Sequence, residues 1–264
     1  MRLFLGFMLI GLISMNTKAF ENPIWGSSYY MGKGGYAKGF EVLGKTTEIL
    51  DKLFETAARN QQVLGYTRAR QILMGRMYLE NLNGQYSIKD VYCQKYFTNS
   101  DFGRGESLGP NLIPDGNILN TEHTWPQSHF TGMFPNEMQK SDLHHLFPSD
   151  SEMNSTRGNF KFAELSGPTE SIKCDASRFA NTAIGYRFEP PIEHRGNVAR
   201  ALFYFSVRYR IHIDNDEEGF LRKWHYQDPV DPTEVMHHEI IFQTQGNRNP
   251  FIDQPDLVDQ IADF

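Results

Sequence analysis

Apolar residues along the chain recur at two spacings. In GFEVLGKTTEILDKLFETAARN (39–60), Val42, Leu43, Ile49, Leu50, Leu53 and Phe54 return every three or four positions, the mark of a helix with one buried face. YTRARQILMGRMYLEN (66–81) repeats the spacing with Ile72, Leu73, Met77 and Leu79, predicting a second helix. HRGNVARALFYFSVRYRI (194–211) is a strongly apolar helix, and PTEVMHHEIIFQTQ (232–245) reads as another. Between these, YSIKDVYC (86–93) is extended, and GRGESLGPNLIPDGN (103–117) is a turn-rich loop.

The centre of the chain changes character. NILNTEHTW (117–125) is strand-like and stops at Pro126, which cannot donate to a ladder. DLHHLFP (142–148) reads as a second short strand, stopped by Pro148. In SDSEMNSTRGNF (149–160), Ser149 and Glu152 fit a capping box that opens a helix carrying Asn154. The order strand, loop, strand, helix predicts an antiparallel pair with a helix laid across it, inside a mostly helical α+β protein.

Composition narrows the setting. The first residues, MRLFLGFMLIGLISMNTKAF, have a basic start, an apolar run from Leu3 to Met15 and a polar end suited to cleavage after Ala19. That is a secretory leader over 1–19, with an uncleaved anchor as the alternative. The run is short for a membrane span, and no second one follows. The expectation is an exported protein, periplasmic or extracellular, free of the membrane after cleavage and working as a monomer. Without Arg2 and Lys18 the balance is 26 − 2 = 24 basic against 32 acidic residues, a formal −8. Bulk charge therefore does not advertise a polyanion partner, and any nucleic-acid binding must use a local basic surface. Cys93 and Cys174 are the only cysteines. In an exported protein they permit one disulfide, and they cannot make a four-thiolate zinc site.

The chemistry gathers at Glu122, His123 and Asn154. A carboxylate and an amide oxygen are hard ligands suited to Mg²⁺ or Ca²⁺, and a neutral histidine beside them could take a proton from an attacking water near neutral pH. Adjacent strand residues point to opposite faces, so Glu122 and His123 share a site only if the strand ends or bulges there. On the residues alone, a metal hydrolase and a bland pairing of surface glutamate with hydrogen-bonded histidine stand level.

Four ordered strings, NTEHTWPQS, SDLHHLFPSDSEMNSTRGNF, PPIEHRGNVARALFYF and QGNRNPF, resemble the endonuclease I family of exported bacterial nucleases, a branch of the His-Me finger or ββα-metal nucleases. The resemblance covers roughly 113–252, with a looser likeness toward the N-terminus. It implies a single nuclease domain over 20–264 with its ββα-metal motif at about 117–160. It implies that Glu122 and Asn154 bind Mg²⁺, with Mn²⁺ or Ca²⁺ as substitutes, and that His123 is the general base. The implied activity is that of a sugar-nonspecific or DNA-preferring endonuclease with little sequence preference, leaving a 5′-phosphate and a 3′-hydroxyl, with DNA as the expected partner and RNA as the alternative. Two departures matter. The insert between His123 and the second strand is short and carries no arginine, so the group that steadies the phosphate is unassigned, with Arg157 and Lys140 as candidates. The many-disulfide framework of better-known members cannot exist here.

Other residues carry weaker signals. Asp142, His144 and His145 could be ligands, but on a strand Asp142 and His144 better serve as supports behind the ligands. His237-His238-Glu239 lacks the second histidine of a zinc protease motif. DNDEEG (214–219) lacks the carboxylate a calcium loop needs at its end and reads as a solvated acidic turn. Gly32, Gly34 and Ala37 match a dinucleotide spacing without a preceding strand. Arg195, Arg200, Arg208 and Arg210 could follow phosphates or pair with carboxylates. Two rival classes stay open: a zinc-dependent hydrolase of cell-wall or peptide substrates using the histidines, and a secreted binding protein without chemistry.

Overall fold

The two N-terminal helical periodicities become α1 (Gly39–Ala58) and α2 (Tyr66–Ile72) in a computed structural model that describes residues 39–103, 105 and 107–264. The expected leader and the glycine spacing near Gly32 lie outside those residues. After α2 the chain loosens into a π turn over Leu73–Met77, where Leu73, Met74 and Met77 enter a core with Ile88, Phe97, Leu119, Leu143 and Leu146. The same core therefore underlies both the N-terminal helices and the central strands. Residues 39–264 form one compact unit.

Three small sheets follow. Strands β1 (Glu80–Leu82), β2 (Gln85–Lys89) and β3 (Tyr96–Thr98) form an antiparallel meander. The central pair is β4 (Leu119–His123) and β5 (Leu146–Asp150), antiparallel, with Glu122 opposite Phe147 and His123 opposite Leu146. The short α3 (Asn136–Lys140) lies in the loop between them, and α4 (Ser151–Arg157) follows β5 directly. The third sheet, β6 (Lys161–Phe162), β7 (Arg178–Thr182) and β8 (Gly185–Glu189), runs in the order β6-β8-β7. The rest is helical: α5 (Ile192–Tyr209), α6 (Asn215–Gln227), α7 (Pro232–Gln245) and α8 (Pro250–Asp253). No helix among the described residues is long and apolar enough to cross a membrane.

The expected strand–loop–strand–helix unit is present, with three corrections. The second strand starts at Leu146; Leu143–His145 is a 3-10 turn closed by the Asp142 carboxylate, which accepts from His144 N–H. Pro148 does not stop β5. It stands opposite Thr121 with its carbonyl turned to Val91 N–H, a position where the ladder asks for no donor. The helix cap is Asp150, which accepts from Glu152 and Met153 N–H, so the Ser149–Glu152 box does not form.

The acidic segment at Asp214 is likewise no free turn. It opens α6, and its carboxylates have partners: Asp216 meets Arg187, Glu217 accepts from Phe162 N–H, and Glu218 meets Arg222. Acidic side chains in a first turn suit the positive end of the helix. Buried α5 is the spine, carrying Phe203, Tyr204, Phe205 and Tyr209 at 0% exposure. Cys93 and Cys174 are joined with a Cα–Cα distance of 5.5 Å, tying the loop after β2 to the segment before β7.

Candidate active site

Among the described residues β4 pairs on one side only, so its other edge is available to a cleft. That resolves the objection about opposite faces. Asn120, Thr121, Glu122 and His123 all line one cleft of about 350 Å³, together with Tyr66, Gln127, Asn154 and Asn159. His123 is the last residue of the strand, and Asn154 reaches the cleft from α4.

Each polar atom has a definable job. Glu122 is 1% exposed. Its Oε1 accepts from the Tyr92 hydroxyl at 2.8 Å and meets Arg157 Nη1 at 3.0 Å, while Oε2 has no protein partner among the described residues. Burial pushes the Glu122 carboxyl above its ordinary range, with Arg157 and the Tyr92 hydroxyl pulling the other way. Asn154 donates from Nδ2 to Thr121 O at 3.2 Å, so its amide oxygen is the atom left over. One carboxylate oxygen and one amide oxygen thus remain for a hard cation, a donor set that fits Mg²⁺ with water and phosphate completing the shell. Among the described residues no group of three His, Cys, Asp or Glu side chains converges as a metal site, so the soft, histidine-rich set that zinc prefers is not assembled there.

His123 is oriented by the backbone. Its Nε2 lies 3.1 Å from Lys140 O; a carbonyl can only accept, so Nε2 carries the proton and Nδ1 carries the lone pair. Gln127 Nε2 lies 3.3 Å from that Nδ1. The ring packs 5.4 Å from Tyr66 and 5.3 Å from His145, centroid to centroid. Burial, reinforced by His145, pushes the imidazole down to about 3, so it is neutral at physiological pH.

The remaining candidates fall elsewhere. Arg157 is 2% exposed and lies beneath the cleft, donating to His123 O at 3.1 Å and Thr124 O at 2.6 Å besides meeting Glu122. It clamps the end of β4 and does not line the cleft, so the phosphate-steadying role proposed for it has no geometric support. Its backbone contacts are tertiary, invisible to a linear reading. Lys140 stands beside the cleft, its Nζ 4.4 Å over the Tyr66 ring.

Asp142 and His144 touch none of Glu122, His123 or Asn154. Asp142 accepts from Tyr204, Tyr209, Gln245 and Gln61, and His144 faces Asn247 O, so both belong to a buried junction of α5 with the ends of α1 and α7. The residues that do support His123 are Lys140, through its carbonyl, and His145. The α5 arginines also have partners: Arg195 with Glu189, Arg200 with Glu234 and Arg208 with Gln61, while Arg210, just past the helix, meets Asp51. His238 accepts from Asn249 N–H, and His237 packs on Tyr78. Tyr66, Tyr92 and Gln127 carried no signal in the sequence, because each reaches the site from a distant or irregular segment.

A family model described as Endonuclease I matches residues 46–256, most of the chain. The chain belongs to the endonuclease I family. It is 38% identical over 178 residues to an extracellular ribonuclease of Bacillus subtilis, covering 59% of this chain and 58% of that protein. An extracellular ribonuclease of Bacillus amyloliquefaciens is 39% identical over 162 residues, 54% of this chain and 53% of that one. An extracellular deoxyribonuclease of Aeromonas hydrophila is 34% identical over 118 residues, 44% of this chain and 50% of the other. The chain spans about half the length of these relatives. Within the matched span, Glu122, His123 and Asn154 all line one cleft.

Proposed function

We propose that the protein is an exported, metal-dependent endonuclease that hydrolyses phosphodiester bonds of DNA and also of RNA. The observation that carries this reading is that Glu122, with Oε2 left without a protein partner, Asn154, with its amide nitrogen engaged and its oxygen left over, and His123, with the proton on Nε2, line one cleft at the open edge of β4. Glu122 and Asn154 would hold the Mg²⁺. When bound, the ion supplies Lewis-acid stabilisation of charge on the phosphate and on the departing 3′ oxygen.

The chain's own residues do the rest. His123 Nδ1 accepts a proton from the attacking water, whose oxygen bonds to phosphorus as the bond to the 3′ oxygen breaks. The Lys140 carbonyl holds Nε2–H, keeping the lone pair on the cleft side and favouring the imidazolium once it forms. Arg157 and Tyr92 grip Oε1 of Glu122, fixing the carboxylate so that Oε2 is presented. The departing 3′ oxygen takes a proton from solvent water, giving a 5′-phosphate and a 3′-hydroxyl.

Named relatives include extracellular ribonucleases and deoxyribonucleases, which supports including both polymers. End-labelled DNA and RNA strands incubated with the protein and Mg²⁺ test this: 5′-phosphate ends on both products are expected. Turnover restored only by Zn²⁺ after chelation, or no turnover with any metal, would favour the rival readings.

A further inference from the structure

The cleft carries a carboxylate but no cation on its lining, and a phosphodiester is an anion. Many lysines and arginines of the described residues are already held in ion pairs with carboxylates: Arg157 with Glu122, Lys161 with Asp214, Lys173 with Asp150, Arg187 with Asp216, Arg195 with Glu189 and Arg200 with Glu234. Two cations without such a pair meet at one side chain of the cleft wall. Lys140 Nζ lies 4.4 Å, and the Arg70 guanidinium 5.7 Å, from the ring centroid of Tyr66.

Tyr66 is the cleft-lining residue that packs on His123. Arg70 follows it by four residues on α2, so both project from the same helix face. Arg70 Nη2 lies beside Gly116, at the Asn120 end of the cleft, and its buried Nε has no hydrogen-bond partner. A second, wider cleft is lined by Glu80, Asp90, Glu193, Asp231 and Glu234 and would repel a polyanion.

We propose that Arg70 and Lys140, braced by the Tyr66 ring, form the phosphate-binding wall of the cleft, each taking one backbone phosphate next to the scissile bond. The wall is built by α2 and the end of α3, not by the insert after His123. Tyr66 holds both cations by cation–π attraction, and its ring also packs on His123. Two cations without a carboxylate partner thereby stand beside the cleft of an otherwise acidic protein.

This rests on the nuclease reading, and the test separates the two. The His123→Ala protein, with Mg²⁺ present, is titrated with a short fluorescein-labelled DNA duplex by anisotropy across a range of NaCl. Each of Arg70→Gln and Lys140→Gln should flatten the slope of log K against log salt by about 0.9 and weaken binding about fivefold at physiological salt, since a lost phosphate contact releases fewer counterions. Arg70→Lys and Lys140→Arg should keep the parental slope, which a merely structural role would not require. Lys89→Gln, removing a cation that also lacks a carboxylate but lines the acidic cleft, should leave the slope unchanged. Slopes for Arg70→Gln and Lys140→Gln equal to that of Lys89→Gln overturn the wall while leaving nuclease activity standing. Absence of both binding here and cleavage by the unsubstituted protein overturns the nuclease reading and the wall with it.

Discussion

Arg157→Met removes the cation beneath Glu122 while keeping most of the buried volume. Both partners are all but inaccessible, at 2% and 1% exposure, so the carboxylate would be left charged without a counter-ion. Breaking a buried pair from one side costs about 3–5 kcal/mol. The carbonyls of His123 and Thr124 lose their donors as well, each a further penalty of about 1–3 kcal/mol unless water reaches them. Taking about 4–5 kcal/mol as the net loss, and about 2–4 °C per kcal/mol for a chain of this size, the melting temperature should fall by roughly 8–20 °C. Thermal unfolding followed by circular dichroism in EDTA measures it. The double variant Glu122→Leu, Arg157→Met removes both charges and should recover part of the loss, since the buried charge is gone. A fall of less than about 3 °C in Arg157→Met, or no recovery in the double variant, would refute the view that Arg157 is the structural clamp of the site.

Three further outcomes are expected. Glu122→Gln and Asn154→Ala should raise the half-saturating Mg²⁺ concentration for cleavage and recover part of their activity at high Mg²⁺, whereas His123→Ala should keep the parental Mg²⁺ dependence; identical metal curves for all of them would place the ion elsewhere. Reducing the Cys93–Cys174 bond, which closes a loop of 81 residues, should cost about 4 kcal/mol in urea unfolding, and an unchanged midpoint would count against it. Glu217 is pushed by burial from 4.5 up to about 7, so the folded state binds its proton more tightly and this group's contribution to stability falls as pH rises from about 4.5 through 7; Glu217→Gln keeps an acceptor for Phe162 N–H and should gain on the parent at pH 8 relative to pH 5, and parallel pH profiles would rule that out.

Legibility in the sequence followed the range of the interaction. Helices α1, α5 and α7 are evident because their apolar faces repeat locally, and the central strand pair is evident from its two short apolar runs, with Pro126 just past the first. Glu122 and His123 are neighbours, and Asn154 lies in a recognisable string, so the cleft's chemistry was nameable from linear text. What escaped was set by contacts across the fold. Asp214–Gly219 reads as a solvated turn until Arg187, Phe162 and Arg222 supply its partners. Pro148 reads as a terminator until its carbonyl is seen to serve Val91. Arg157 reads as a phosphate ligand until its burial is known, and Arg70 carries no signal at all until Tyr66 brings it beside the cleft.

The proposed mechanism stands on His123 Nδ1 as the proton acceptor in a metal-dependent phosphodiester cleavage. Supercoiled plasmid incubated with the purified protein should survive in EDTA and be nicked and linearised once Mg²⁺ is in excess. His123→Ala, under the same excess of Mg²⁺, should cleave about 10²-fold to 10⁴-fold more slowly while still retarding the plasmid on a gel. Near-parental cleavage by His123→Ala, or undiminished cleavage by the parent in EDTA, would contradict the account.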